Sequence, residues 1–190
     1  MPTTLQLRRG TTAQNNSYTG AVGEITVDTD LDTIRVHDGS AAGGFELLQK
    51  NATQNISNKT LDINIKETFT SSATAATGTI NFDNSSYQVL YYTSNSSANF
   101  TVNIRGNASV TLNSLLAIGE SLSCIFMVTN GGTAYYQTGF QIDGNAVTPK
   151  WQGGTAPSSG NTNSIDIYNY TIMKTANATF TVLASQTKFA

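Results

Sequence analysis

Short runs in which apolar and polar residues alternate recur along this chain, and each such run is the signature of a strand with one apolar face. Near the N-terminus they are Leu5 and Leu7, then Ile25 and Val27, then Ile34 and Val36. Gly20, Gly23, the Asp30-Leu31-Asp32 corner and Asp38-Gly39 stand between them with turn chemistry, so residues 8–48 predict a small meander. Farther on the same alternation appears at Leu61, Ile63 and Ile65, at Ile80 and Phe82, and at Phe100, Val102 and Ile104. Residues 87–92 are more continuously apolar, which predicts a strand buried on both faces. The small polar residues of 71–78, 84–86, 94–98 and 106–107 predict turns.

One stretch breaks the period of two. Leu112, Leu115 and Leu116 follow i, i+3, i+4 spacing, which predicts one or two helical turns closed by Gly119 and capping an open end of the strand layers. The β pattern then resumes at 121–129 and 134–142, with Asn130-Gly131-Gly132 between them as a hairpin signal. Asp143-Gly144-Asn145 predicts a second hairpin, and 165–174 and 180–184 predict two closing strands joined through Ala176-Asn177.

The fold class expected from these elements is all-β. A small N-terminal module covers 1–49, a polar linker 50–60, and a β-sandwich or jelly-roll-like domain 61–190. A module of about 50 residues is at the margin of independent stability, where disulfides, a metal or oligomerisation usually help. It contains no cysteine, so oligomerisation is the expected remedy.

Composition narrows the function classes. Charged residues make up 12% of the 190, the net charge is −2, and no basic stripe exists, which argues against a nucleic-acid partner. The longest apolar runs are far below bilayer-spanning length, and residues 1–5 lack the basic start and apolar stretch of a signal peptide, so the expectation is a soluble protein made in a cytoplasm. The Asn-x-Ser/Thr sequons are then by-products of an Asn-, Ser- and Thr-rich surface. Cys124, the only cysteine, lies in the run Leu122-Ser123-Cys124-Ile125-Phe126 and reads as a buried, inert small hydrophobe.

The segment Leu7-Arg8-Arg9-Gly10-Thr11-Thr12, Tyr18-Thr19-Gly20, Gly23-Glu24-Ile25-Thr26-Val27-Asp28 and Arg35-Val36-His37-Asp38-Gly39, closing on Gly43-Gly44, resembles the N-terminal module of bacteriophage tail-fibre and tropism-determinant proteins. The resemblance covers about the first quarter of the chain. It implies a trimeric β-prism near the virion attachment end of a fibre, and hence a virion structural role. Ile56-Ser57-Asn58-Lys59-Thr60-Leu61 is similar to a connector of phage fibre proteins, and Thr129 to Tyr136, Val147 to Pro157 and Thr179 to Thr187 resemble the C-terminal domain of marine-phage fibre-like proteins.

Candidate chemistry is sparse. Residues 68–190 carry four acids (Asp83, Glu120, Asp143, Asp166) and four bases (Arg105, Lys150, Lys174, Lys188). A glycan-cleaving fibre would need paired carboxylates roughly 5 to 9 Å apart. The expectation is therefore binding without catalysis, with no cofactor and no metal. His37, at a predicted strand end beside Asp38, reads as a hydrogen-bonded structural residue more readily than as a metal ligand. Trp151, the only tryptophan, is either a glycan-stacking platform or a plug of the sandwich. Tyr91-Tyr92 and Tyr135-Tyr136 should each send one ring inward and one outward if they lie in strands. The candidate receptor-binding residues are thus Trp151, Tyr135 and Tyr92.

In the N-terminal module Leu5, Leu7, Ile25, Val27, Ile34 and Val36 are the candidate trimer core. Arg8, Arg9 and Arg35 are candidates for virion attachment or for inter-subunit ion pairs. The expected partners are two further copies of the chain, other virion proteins, and a host-surface glycan or protein, with no membrane insertion. The same composition would suit a capsid decoration or head-fibre protein, or a structural spacer.

Overall fold

The computed structural model describes residues 6–47 and 69–189. The chain divides into two compact units, Met1–Ile63 and Asn64–Ala190. The all-β expectation is met in both. Leu5, the linker at 50–60 and the alternating run Leu61, Ile63, Ile65 lie outside the described residues. Among the described residues no helix is long and apolar enough to cross a membrane.

The first unit is a four-stranded sheet in the order β1 (Arg8–Gly10), β2 (Ile25–Asp28), β3 (Thr33–Val36), β4 (Phe45–Glu46). It is not the simple meander predicted, because β1 runs parallel to β2. Parallel neighbours need a crossover, and a six-residue helix α1 (Thr12–Ser17) lies within it. The Thr11 hydroxyl caps Gln14 N–H, while the Gln14 amide oxygen accepts from Thr11 N–H, a closed capping box.

The second unit packs two sheets around one core. The chain passes alternately between them: β5 (Phe69–Ala75), β7 (Val89–Asn95) and β9 (Ser121–Asn130) lie parallel in one, and β6 (Gly78–Asp83), β8 (Phe100–Arg105) and β10 (Gln137–Ile142) lie parallel in the other. Three turns of a coil result. A short β11 (Asn145–Ala146) folds back on β10, giving a four-stranded sheet β11-β10-β8-β6. β12 (Lys150–Trp151) then joins β13 (Ser164–Ala176) and β14 (Thr179–Phe189) in a six-stranded sheet β12-β14-β13-β9-β7-β5. Phe82, Phe100, Val102, Ile104, Phe126, Val128, Tyr168, Tyr170 and Ile172 fill the space between the sheets. Edge-to-face pairs such as Phe100–Phe126, with centroids 5.5 Å apart, bridge the two layers.

Several local expectations are overturned. Residues 71–78 were expected as a turn but contain most of β5, an edge strand whose small polar residues show no alternation. Of 87–92, only Leu90 is fully buried in β7. Asn130-Gly131 is not a hairpin, because β9 and β10 belong to different sheets. The Asn130 side chain instead bonds across the corner, donating to the Tyr135 carbonyl and accepting from Tyr135 N–H, so long-range partners override the local turn signal. Helix α2 (Leu112–Leu115) forms as predicted, with Leu112 buried, but Leu116 is its C-cap and Gly119, at φ +91°, lies beyond it.

Other expectations hold. Asp143 and Gly144 both take positive φ, 51° and 78°, and form the two-residue turn between β10 and β11. Asn177 and Ala178 connect the paired ends Ala176 and Thr179 of β13 and β14. Cys124 is buried at 1% exposure, and that burial pushes its thiol up to about 12.

Candidate functional site

In the first unit the two faces of the sheet are inverted relative to an ordinary domain. Thr26, Asp28, Thr33, Arg35 and His37 are buried. The opposite face is apolar and open. Ile25 pairs with Val36, which pairs with Phe45, and Val27 pairs with Ile34; Leu7 immediately precedes the Arg8–Thr26 pair and so continues the first row. Leu7, Ile25, Ile34, Val36, Phe45 and Leu47 are 36–60% exposed, and Val27 is half-buried. Complete burial of such a side chain from full exposure is worth about 1.5–3 kcal/mol, of which these half-exposed side chains have roughly half still to gain. Six such side chains stand exposed on one small sheet.

The buried polar face is held by paired groups. Arg35 lies 2.8 Å from Asp28 and 2.7 Å from Glu46, and donates also to the Asn16 amide oxygen and the Gly43 carbonyl. Burial alone would raise the Asp28 carboxyl. Bonds from the Thr12 hydroxyl, the Leu31 and Asp30 N–H groups and Arg35 outweigh it and hold that carboxyl below its ordinary value.

His37 is a hydrogen-bonded core residue. Gly20 N–H donates to its Nδ1, and its Nε2 lies 3.0 Å from the Thr26 hydroxyl; Asp38 bonds instead to the Ser40 and Ala41 N–H groups. Arg8 pairs with Glu24 at 3.0 Å and lies over the Tyr18 ring, and Arg9 sits opposite Val27 at the β1 edge. Arg35 is thus part of the unit's interior, whereas Arg8 and Arg9 are exposed.

In the second unit a groove of about 480 Å³ runs between residues 136–141 and the segment 146–157, with Thr101 also in its lining. Its shape follows from local sequence. Pairing of β10 with β8 slips between Gln137 and Gly139, so Thr138 bulges outward. A Cβ on Gly139 would stand 2.4 Å from Thr101 Oγ1, so only glycine lets the Thr101 side chain lie there. Gln137 is pinned from behind, its N–H to the Tyr168 hydroxyl and its side-chain oxygen accepting from Tyr170. Trp151 lines the groove while packing edge-on against Tyr168, with centroids 6.5 Å apart.

The three aromatic residues singled out from sequence are not brought together. Trp151 is in the groove. Tyr135 precedes β10 and is fixed to Asn130 through its backbone; its neighbour Tyr136 lines the groove instead. Tyr92 lies on β7, in the same six-stranded sheet as Trp151 but separated from β12 by three strands, and is edge-on to Phe126 at 5.7 Å. A second hollow, of about 530 Å³, involves Tyr91, whose hydroxyl accepts from Thr129.

None of the four acids weighed above as a possible carboxylate pair lines the groove. Asp143 accepts from the Leu112 and Asn113 N–H groups at the start of α2, Asp83 pairs with Arg105, and Glu120 accepts from Ala117 N–H. Asp166 is fully buried, bonded by Asn130, Asn161 and Gln186. Its burial raises the carboxyl above the ordinary range despite those bonds.

Comparison with known proteins bears on the first unit. Residues 5–41 match the major tropism determinant N-terminal domain. A tail fiber receptor-binding protein of Bordetella phage BPP-1 is 62% identical over 47 residues, which are 25% of this chain and 12% of that protein. Solved structures of the major tropism determinant variants P3c and U1 are 60% identical over 24% of this chain and 12% of theirs, with a TM-score of 0.23. The chain therefore spans only 12% of the length of these relatives. Through residues 5–41 this chain is similar to the major tropism determinant N-terminal domain, and over its first quarter it is similar to a phage tail fiber receptor-binding protein.

Proposed function

We propose that this chain is a structural component of a phage virion, a tail-fibre or baseplate-associated protein made in the host cytoplasm. Its N-terminal unit joins three copies and docks them on the virion, and its C-terminal unit presents a surface for adsorption to the host. The observation that carries this reading is the open apolar face of Leu7, Ile25, Ile34, Val36, Phe45 and Leu47 on the unit that matches the tropism-determinant domain. Three copies packing those faces about a threefold axis would bury them, with Val27 in the same seam. Arg8 and Arg9 at the sheet edge are then available to neighbouring subunits or to the virion.

The work of the assembly is binding rather than catalysis. Three weak host-binding sites on one body gain effective concentration without any new contact. A surface rich in Asn, Ser, Thr and Gly bonds neutral sugars through many uncharged donors and acceptors.

The test is the mass of the purified whole chain by light scattering, followed by mixing with purified tails and capsids. A mass three times 20.2 kDa and co-sedimentation with tails is the expected result. A monomer overturns the trimer, and attachment to capsids alone overturns the tail assignment.

A further inference from the structure

We propose that the groove beside β10 is a binding site for an uncharged glycan, which stacks on Trp151 and Tyr136 and hydrogen-bonds to Thr101, Gln141 and Thr148. The proposal deepens the host-adsorption reading above and rests on it.

Three features of the groove lead to that ligand class. Among the described residues its lining contains no charged side chain, so none of them would offset the desolvation of a carboxylate, sulfate or phosphate. It does contain two amphipathic aromatic rings, which suit the apolar faces of a pyranose. Among the described residues, the hydroxyls of Thr101, Tyr136 and Thr148, the Gln141 amide and the Trp151 indole N–H have no protein hydrogen-bond partner. The nearby Gln137, by contrast, is fully engaged with Gly139 and Tyr170. A lining that combines unengaged neutral donors and acceptors with aromatic faces is matched by a polyol, not by an ion or a purely apolar ligand.

The groove is also set in advance. Pro149 and Pro157, two of the chain's three prolines, fix the backbone of its outer wall. The Trp151 ring is braced by Tyr168, and the Thr138 bulge and Gly139 hold the inner wall open. Little ordering is left for binding to impose.

Because Trp151 is the only tryptophan, its emission reports on this groove alone. The whole chain would be titrated with neutral hexasaccharides of glucose, galactose and mannose, and with hexagalacturonate as the anionic counterpart. At least one neutral hexasaccharide should shift the emission saturably, hexagalacturonate should not, and Gln141→Ala or Tyr136→Ala should weaken binding about tenfold without altering the circular dichroism. The site is refuted if no neutral sugar shifts the emission, if the uronate binds as tightly, or if both variants bind unchanged. Adherence of the labelled chain to bacteria that the parent phage infects separates the two levels. Adherence with a silent Trp151, unchanged in Trp151→Phe, removes the groove and leaves the adsorption reading standing; loss of adherence in Trp151→Phe supports the groove, and absence of any adherence removes the adsorption reading itself.

Discussion

Arg35 Nη2 stands 2.8 Å from Asp28 Oδ2, and the two side chains are 4% and 0% exposed. An ion pair occupies the interior of the first unit while isoleucine, valine and phenylalanine occupy its surface. Removing one partner of a buried pair leaves the other charge uncompensated, which typically costs about 3 kcal/mol or more. Arg35→Met is expected to unfold the first unit at temperatures where the native chain is intact. Arg35→Lys should rescue it poorly, because one ammonium cannot serve Asp28, Glu46, Asn16 and Gly43 from a planar fork. Thermal unfolding followed by circular dichroism would decide this, and a midpoint unchanged in Arg35→Met would refute it.

The open face makes the opposite demand. Ile34→Arg points outward, so it should leave the monomer's fold intact and block association. If the native chain is the proposed trimer, light scattering should find one copy of the variant where the native chain gives three, with the same circular dichroism. A trimer that tolerates arginine at this position must be assembled through some other surface.

A fall in pH should weaken the first unit and a rise in pH from the acid end should weaken the second. Asp28 has its folded pKa lowered below the 3.8 of an ordinary aspartate, so its contribution to stability is present above that value and is lost as the pH falls through the lowered one. Asp166 has its folded pKa raised, so its contribution is present below 3.8 and is lost as the pH rises through the raised value. The midpoint of Asp166→Asn should therefore gain on that of the native chain as the pH rises from 3.8. A constant difference between the two across that window would show that Asp166 titrates normally.

Cys124 provides a check on the core. With 1% exposure and a thiol pushed up to about 12, it should resist alkylation by iodoacetamide at pH 8 in the folded chain and react in denaturant. Rapid native labelling would mean that the two sheets open readily.

Gly139 ties the groove to the fold. A methyl group there would fall 2.4 Å from Thr101 Oγ1, so Gly139→Ala should cost about 1–3 kcal/mol by overpacking and displace Thr101 from the groove lining. Chemical denaturation gives the first effect, and the Trp151 emission the second.

The elements legible in the sequence were those whose partners are periodic or local. Ile80 and Phe82, and Phe100, Val102 and Ile104, alternate because one side of β6 and β8 faces the core, and Asp143-Gly144 specifies its turn with two residues. Helix α1 had a readable signal, the Thr11-x-x-Gln14 capping box, which the surrounding strand pattern obscured. Strand β5 had none, since Ser, Thr and Ala carry no apolar stripe and its place is fixed by backbone pairing to β7.

The groove was half legible. Trp151 announced itself, but the choice of Tyr135 over Tyr136 assumed a strand phase that does not apply before β10 begins. No local pattern reveals that Gly139 makes room for Thr101, a residue 38 positions earlier in the chain.

The coil of the second unit has a consequence for how such a protein can change. Val89 occupies the place of Phe69 one turn later, after 20 residues, and Ile125 occupies it after 36 more, and the strands stay parallel neighbours with one irregularity in each pairing. The longer turn carries helix α2 in its corner, and β7 and β9 on either side of it still pair from Val89–Ile125 to Tyr92–Val128. Corners of this architecture can therefore lengthen, shorten or be exchanged while the stacked strands keep their pairing. A lineage under pressure to recognise new hosts could vary its outline by editing corners alone, without having to re-solve the problem of folding.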